Sequence, residues 1–182
     1  MIAIIMAGGK STRMGTEKPL LKIGHKKMVD IAADAIKDSK ADDFFIAVSK
    51  NAIKTGKYCL KRYNTIETSG NGYHKDLNEL LKPFSKFVSV SSDIPFLRGE
   101  HINTIINAYG GCSITGAILA DSIPSGVTPS HVFENDKKKV VTVGLNIVTA
   151  SINSSVLLFK DPLLGINVNT KEDLKIANDL SI

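Results

Sequence analysis

The feature that most constrains the fold is an alternation of short, β-branched apolar runs with segments whose apolar residues recur at helical spacing. The strand candidates are residues 2–7, 44–49, 65–68, 87–91, 114–119 and 144–149. The helix candidates are residues 28–38, 53–63, 73–83 and 99–109, each of which follows one of the first four strands. This repetition predicts an α/β fold of three layers, in which a mostly parallel, twisted sheet is flanked by helices.

Length and composition indicate one domain. The chain has 182 residues, of which 43% are hydrophobic and 23% charged, and this predicts a single domain over residues 1–182. The longest apolar runs are far too short to cross a bilayer, and the N-terminus lacks the pattern of a secretion signal. We therefore expect a cytoplasmic protein that does not bind membranes. Cys59 and Cys112 are expected as reduced thiols, and the four scattered histidines lack the spacing of a zinc site.

The net charge of +5 indicates an anionic ligand. The charge is mostly lysine, since the chain has only three arginines (Arg13, Arg62 and Arg98) and no tryptophan. Surfaces that bind nucleic acid favour arginine and stacking aromatic rings, so the composition favours a small polyanion and no nucleic acid. The lysines at 137–139 are expected at the exposed tip of a turn.

The last third of the chain departs from the alternation. Residues 121–139 are rich in Ser, Pro, Asn and Asp, which predicts a loop or a small hairpin that could act as a lid or an acceptor site. Further on, Thr170 with Asp173 three residues later predicts the N-cap of a C-terminal amphipathic helix.

The segment after the first strand is the strongest candidate for a binding site. The strand is followed by two glycines and then by a polar loop with three cationic side chains. Glycine allows backbone N–H groups to approach phosphate oxygens, arginine can bind two oxygens at once, and lysine supplies a point charge. The loop also lies where ligands bind in open α/β sheets. The expected phosphate-binding residues are Ala7, Gly8, Gly9, Lys10, Arg13 and Lys18. Residues 8–18 are called the phosphate loop below.

Residues 9–12 copy the end of a Walker A loop, but the spacing argues against that motif. A Walker A loop requires a glycine where this chain has Ile4, in the middle of the first strand. It also requires a helix that begins at the Lys-Ser step, and Gly15 and Pro19 disfavour one. A glycine-rich turn with solvated basic side chains is the simpler alternative.

The full pattern, Gly-Gly-x-x-x-Arg-Met-Gly-x-x-Lys-Pro, resembles the signature of nucleotidyltransferases that include molybdenum-cofactor guanylyltransferases and sugar-phosphate uridylyl- and thymidylyltransferases. The resemblance implies a Rossmann-like nucleotidyltransferase fold and a loop that wraps a triphosphate. It also implies that Arg13 and Lys18 stabilise charge as pyrophosphate leaves.

Three later segments match the same signature in order. Asp93 follows a strand and stands where the family holds a divalent cation, which implies Mg²⁺, and Asn169 in the segment 167–174 is implied to share it. Residues 68–73 lie at the loop that contacts the base in relatives. The implied nucleotide contacts beyond the phosphate loop are Asn51, Thr68, Ser69, Gly70, Gly72 and Gly144.

Each of these residues also has a structural alternative. Asp93 could cap the segment before Pro95, and Asn51 could simply form a turn. Asn169 could terminate a strand before the Thr170 cap, and Gly144 could mark a strand irregularity.

At finer grain, residues 68–79 and 144–148 resemble archaeal guanylyltransferases that act on adenosylcobinamide phosphate. This resemblance implies GTP as donor, a corrinoid phosphate as acceptor, pyrophosphate as second product, and a place in cobalamin biosynthesis. Three alternatives stay open: a transferase for another acceptor such as the molybdenum cofactor, a GTP-binding regulatory module, and a basic nucleic-acid binder. A homodimer is the general expectation for such an enzyme.

Overall fold

A mixed sheet of eight strands forms the middle layer of the computed structural model, which describes residues 1–181. The strands of this sheet are β1 (Ala3–Met6), β4 (Phe44–Val48), β5 (Thr65–Glu67), β6 (Lys86–Ser91), β7 (Ser113–Leu119), β8 (Val132–Asn135), β9 (Lys138–Thr149) and β10 (Ser154–Leu158). Two further short strands are β2 (Lys22–Ile23) and β3 (Lys26–Lys27). The helices are α1 (Met28–Lys37), α2 (Ile53–Cys59), α3 (Tyr73–Leu80), α4 (Gly99–Asn107) and α5 (Lys171–Asp179).

The strand order confirms the mostly parallel α/β sheet that the sequence predicts. The order is β10-β7-β9-β6-β1-β4-β5, with β8 paired to β9, while β2 and β3 form a separate hairpin. Strands β6, β1, β4 and β5 are parallel, and β10 is parallel to β7. Strand β9 is antiparallel to β6, β7 and β8. A two-residue turn at Asp136 and Lys137, both with positive φ, joins β8 to β9 and makes these two strands an antiparallel hairpin.

Helices cover both faces of the sheet because the central strand β1 is apolar on both sides. Ala3 and Ile5 belong to the largest buried cluster, to which α1 and α4 contribute. Ile4 points to the opposite face and shares a second cluster with Leu77 of α3 and Phe87 of β6. These contacts produce the three predicted layers.

Several short strands are not evident from the sequence pattern. The β2–β3 hairpin, β8 and β10 were not predicted, and the strand predicted at 144–149 begins at Lys138. β2 and β3 have two residues each, which is too short to show a periodicity. β8 and β10 lack an apolar run of strand length, because β8 contains Glu134 and Asn135 and β10 begins with two serines at the edge of the sheet. The residues predicted as a loop or hairpin at 121–139 do end in a hairpin, and Lys137 lies in its turn.

Gly116 allows a close approach between β7 and β9. It lies at a register shift between these strands, where an added Cβ would meet the Leu145 carbonyl oxygen and lie 2.9 Å from Cε2 of Phe159. Gly116→Ala is expected to lower the free energy of unfolding by about 1–3 kcal/mol, the usual cost of overpacking. Gly110→Ala, where an added Cβ meets nothing within 4 Å, is the control. Urea unfolding measures both, and equal stability of the two variants would contradict this account.

Candidate nucleotide-binding and transfer site

The loop after β1 encloses a polar cavity at the C-terminal edge of the sheet. The cavity has a volume of about 280 Å³ and is lined by loop residues 9–14, by Lys18, and by residues that follow β6. Ser11 and Gly15 have positive φ, and the Ser11 hydroxyl accepts a hydrogen bond from the Lys18 backbone N–H at 3.0 Å. No helix begins between residues 8 and 17, so the rejection of a Walker A loop is confirmed.

Lys18 brings three parts of the chain together at one end of this cavity. Its ammonium lies 2.5 Å from Oδ2 of Asp93, after β6, and 3.1 Å from Oδ1 of Asn169, before α5. The Lys18 and Asp93 side chains are 19% and 18% exposed. The structure therefore places three predicted site residues, from distant parts of the sequence, in direct contact.

Asp93 is held from its other side by Asn167, a residue that was not among the predicted site residues. The Asn167 amide donates to Oδ1 of Asp93 at 3.3 Å and to the Val143 carbonyl at 3.4 Å. The backbone N–H of Val168 donates to the Asp93 carbonyl. Within residues 1–181, Oδ1 of Asn167 is buried and accepts no hydrogen bond. The sequence could have indicated Asn167, because it belongs to the same Asn-x-Asn motif as Asn169.

Asn169 is fixed by the helix cap that follows it. The buried Asp173 carboxylate accepts from the backbone N–H groups of Asn169 (3.0 Å), Thr170 (2.8 Å) and Thr128 (2.8 Å). The Thr170 hydroxyl in turn accepts from the Asp173 backbone N–H, which completes the predicted capping box. One carboxylate thus joins α5, Asn169 and the 121–139 segment.

A second cavity, of about 400 Å³, lies on the other side of the glycines. Its walls are held by side-chain bonds to the backbone: Ser49 donates to the Gly8 carbonyl, and Asn51 donates to the Gly70 carbonyl, both at 2.7 Å. Oδ1 of Asp76 accepts from the Gly70 backbone N–H at 3.0 Å. Gly70 has a φ of +67°, and an added Cβ would overlap the Asn51 amide.

The third and largest cavity, of about 710 Å³, opens on the face of the sheet beside α3. Its walls include Tyr73 and His74 of α3, and His131 and Phe133 at β8, whose rings stack at 6.0 Å with an interplanar angle of 18°. Ser91 lines all three cavities. The Lys18–Asp93 contact lies at this junction, since Asp93 lines both the first and the third cavity.

Tyr73 separates the second and third cavities. Its hydroxyl lies 3.1 Å from the Ser89 hydroxyl and accepts from the Asn146 amide at 3.2 Å. Burial raises the pKa of Tyr73, against the smaller effect of these hydrogen bonds. The phenol is therefore a neutral hydrogen-bonding group at physiological pH, between the two cavities.

Several predicted nucleotide contacts also make contacts within the fold. Ala7 is buried and its N–H donates to the Ala47 carbonyl. Thr68 is buried with its hydroxyl directed at the Val48 carbonyl. Ala7, Thr68 and Ser69 are not among the residues that line the three cavities described above. Gly144 (φ +77°) does line the third cavity, but the close neighbour that an added Cβ would meet is Cβ of Ser91, at 2.8 Å.

The cluster offers oxygen ligands of the kind that Mg²⁺ binds. Within residues 1–181, there is no group of three or more His, Cys, Asp or Glu that could hold a metal ion. Asp93 and Asn169 nevertheless direct one oxygen each at a single cation, the Lys18 ammonium. Two protein oxygens completed by phosphate and water are a common arrangement for Mg²⁺, so these residues fit the metal that the sequence implies.

Comparison with known proteins places the chain in a family. The family model described as the MobA-like NTP transferase domain matches residues 3–129. The chain belongs to this family. It is a nucleotidyltransferase, as its N-terminal loop predicts.

The relatives extend the match to the whole chain. The adenosylcobinamide-phosphate guanylyltransferase of Methanocaldococcus jannaschii is 38% identical over 99% of this chain and 97% of that protein, which confirms the finer resemblance. A Natranaerobius thermophilus protein that carries the name molybdenum cofactor guanylyltransferase is 31% identical, over 58% of this chain and 53% of its own. The solved structure of 4-diphosphocytidyl-2C-methyl-D-erythritol synthase from Anaerococcus prevotii has the same fold, with a TM-score of 0.67 and 18% identity over 98% of this chain and 94% of that one.

In the part of the chain from Met1 to Ser181, every helix falls short of the length and apolar character needed to cross a membrane.

Removal of either loop cation tests the site. Arg13→Ala and Lys18→Ala are each expected to slow nucleotidyl transfer at least about 100-fold, or about 2.7 kcal/mol, because charge that develops on the phosphates loses a fixed partner. Lys22→Ala, an exposed lysine on the neighbouring hairpin, is the control and should leave the rate unchanged. Steady-state release of pyrophosphate measures all three, and full activity of both loop variants would refute the assignment.

Proposed function

We propose that the chain transfers GMP from GTP to adenosylcobinamide phosphate, which gives adenosylcobinamide-GDP and pyrophosphate. The observation that carries this proposal is the position of Lys18 and Asp93 between a polar cavity beside the glycine loop and a large cavity walled by aromatic rings. A transferase needs such a place, where donor and acceptor meet. The full-length relative that carries this activity in its name supports the choice of substrates.

The reaction requires positioning and charge neutralisation more than proton transfer. An acceptor phosphate oxygen attacks the α-phosphorus of GTP, a new P–O bond forms, and the bond to the β-phosphate oxygen breaks. The electron pair of that bond leaves with pyrophosphate. The attacking phosphate is already an anion, so no strong general base is needed, and rate enhancement depends on orientation and on preorganised cations.

The loop cations match these demands. Lys18 lies at the junction of the cavities and is assigned to the α-phosphate and the bridging oxygen. Arg13 lines the same cavity and is assigned to the departing pyrophosphate, where its planar fork can bind two oxygens. Lys10 lines both the first and the second cavity and is assigned to the β- or γ-phosphate.

Asp93 and Asn169 are assigned as the residues that hold Mg²⁺. The bound metal would neutralise phosphate charge and help to orient the reacting groups. For the metal to bind, the Lys18 ammonium must give up its place between the two oxygens, and the nucleotide phosphates are the anions available to receive it. Asn167 keeps the Asp93 carboxylate oriented in either arrangement.

Asp93→Asn tests this assignment. The amide has one carbonyl oxygen in place of a carboxylate, so the concentration of Mg²⁺ at half-maximal activity should rise at least about tenfold, which corresponds to about 1.4 kcal/mol. A Mg²⁺ titration that matches the native one would remove Asp93 from the metal site.

The second cavity is assigned to guanine. Backbone groups at Gly70 to Gly72 line it, and Asn51 and Asp76 fix that segment from two sides. A base that left these polar groups unpaired would pay a desolvation penalty, which supplies selectivity against adenine.

The third cavity is assigned to the acceptor. Stacked His131 and Phe133 suit an extended, apolar macrocycle, because aromatic rings bury large area with defined geometry. Asp93 at one end marks where the acceptor phosphate would reach the donor. The cavity therefore takes the phosphate-bearing arm and one face of the corrinoid ring.

Substrate comparison tests the function as a whole. Pyrophosphate release is expected with GTP and adenosylcobinamide phosphate together, and at least about 100-fold more slowly with ATP, CTP or UTP, because unpaired polar groups penalise the wrong base. Equal turnover of the corrinoid phosphate and of a pterin phosphate would contradict the acceptor assignment. Turnover with the pterin alone would indicate the molybdenum-cofactor reaction.

Phe133→Ala tests the acceptor cavity separately. Loss of the ring should raise the KM for the corrinoid phosphate at least about tenfold while the KM for GTP stays the same, because only the acceptor contacts this wall. Val132→Ala is the matched control, since this exposed neighbour on β8 points away from the cavity. If the two variants behave alike, the acceptor binds elsewhere.

A further inference from the structure

Glu17, the residue before Lys18, makes a contact that the proposed chemistry does not use. Its side chain reaches the first turn of α2, where Oε1 accepts from the Lys54 backbone N–H at 3.0 Å. Oε2 accepts from the Thr55 backbone N–H at 2.6 Å and from the Thr55 hydroxyl at 2.7 Å. Ala52, at the N-cap of α2, has no side-chain group that could satisfy these donors. Glu17 supplies the cap that α2 lacks.

This contact is the main polar attachment of the phosphate loop. Within residues 1–181, every hydrogen bond that joins residues 9–17 to a residue beyond Leu20 ends on the Glu17 carboxylate. The other bonds are local, such as that from the Met14 N–H to the Ser11 carbonyl. The apolar attachment is Met14, which packs into a buried cluster. The Glu17 carboxylate thus fixes the position of the loop just before Lys18.

The helix that receives Glu17 is itself well fixed. Thr55 is fully buried, and Cys59 at the end of α2 belongs to the main core. The residues just before α2 also hold the nucleotide cavity, through Ser49 to Gly8 and Asn51 to Gly70. The loop is therefore attached to the same part of the fold that shapes the proposed guanine cavity.

Hydrogen bonds keep the Glu17 carboxylate ionised. Burial by itself raises the pKa of Glu17, but the hydrogen bonds from Thr55 and Lys54 outweigh burial, and the pKa is lowered. An ionised acceptor forms stronger hydrogen bonds than a neutral one. The attachment is thus present at neutral pH.

We propose that Glu17 is a positioning residue for nucleotidyl transfer: by binding the first turn of α2, its carboxylate holds the phosphate loop in the form that directs the Lys18 ammonium at Asp93 and Asn169. Glu17 does not contact substrate and acts through Lys18, its neighbour in the chain. The kinetic consequence, a lower kcat when Glu17 is replaced, rests on the proposed function. The structural consequence, a loop that opens more often, does not.

Proteolysis without nucleotide tests the structural consequence. Lys10 and Arg13 in the loop are tryptic sites, whereas Lys18 is followed by Pro19 and is resistant. Glu17→Ala is expected to speed cleavage after Lys10 and Arg13 by about tenfold, because cleavage follows the population of the open loop. Glu17→Gln keeps one acceptor oxygen and should give an intermediate rate.

Asp161→Ala is the matched control. Asp161 also caps a short helical turn, by accepting from the Leu163 N–H, and it pairs with Arg98 away from the cavities. Its loss should leave loop cleavage unchanged. Equal cleavage of native protein and both Glu17 variants would overturn the proposal, whether or not the chain transfers GMP to a corrinoid.

A double-mutant cycle tests the kinetic consequence. Glu17→Ala alone should lower kcat at least about tenfold with the KM for the acceptor unchanged, and in the Lys18→Ala background it should change kcat less than about twofold. An equal decrease of kcat in the native and the Lys18→Ala backgrounds would show that Glu17 does not act through Lys18. If Glu17→Ala fails to fold, as judged by thermal unfolding, Glu17→Gln replaces it in the cycle. An equal decrease of kcat by Glu17→Gln in the native and the Lys18→Ala backgrounds would then contradict the proposal.

Discussion

The site depends on one electrostatic contact, the Lys18 ammonium held between the Asp93 carboxylate and the Asn169 carboxamide oxygen. The ion pair is only about one-fifth exposed, so salt screens it less than a surface pair. The contact also fixes the relation between the loop after β1, the loop after β6 and the start of α5. A nucleotide that enters the adjoining cavity would therefore find the Lys18 ammonium at the cavity wall, and on the proposed assignment this side chain shifts from the two oxygens to the phosphates.

The sheet topology explains how one such contact can serve two substrates. The parallel strands β1 and β6 end at the same edge, which brings the glycine loop and Asp93 together. Strand β9 then returns antiparallel beside β6, and α3 packs over the β1–β6 side of this face. The surface over β9 and β7 is left for the large cavity. The first and third cavities thus adjoin at Ser91 and Asp93, where donor and acceptor would meet on the proposed assignment.

The fold could be predicted from the sequence because strands and helices alternate with clear periodicity. The nucleotidyltransferase family could be predicted because the glycines and cations after β1 have a distinctive spacing. The capping box at Thr170 was equally predictable, since it depends on residues three apart. The walls of the second cavity were only partly predictable: Gly70 and Gly72 line it, whereas Thr68 lies inside the fold and Asn51 donates its amide to Gly70, contacts that depend on tertiary packing. Glu17 and Asn167 act across 38 and 74 residues of sequence, and no local pattern reports such partners.

The most direct test of the central claim is a crystal structure with a non-hydrolysable GTP analogue and Mg²⁺. We expect the triphosphate in the cavity beside the glycine loop, with the α-phosphate within hydrogen-bonding distance of the Lys18 ammonium and the base against Gly70 to Gly72. A triphosphate bound at another edge of the sheet, or Lys18 still paired with Asp93 and apart from the phosphates, would contradict it.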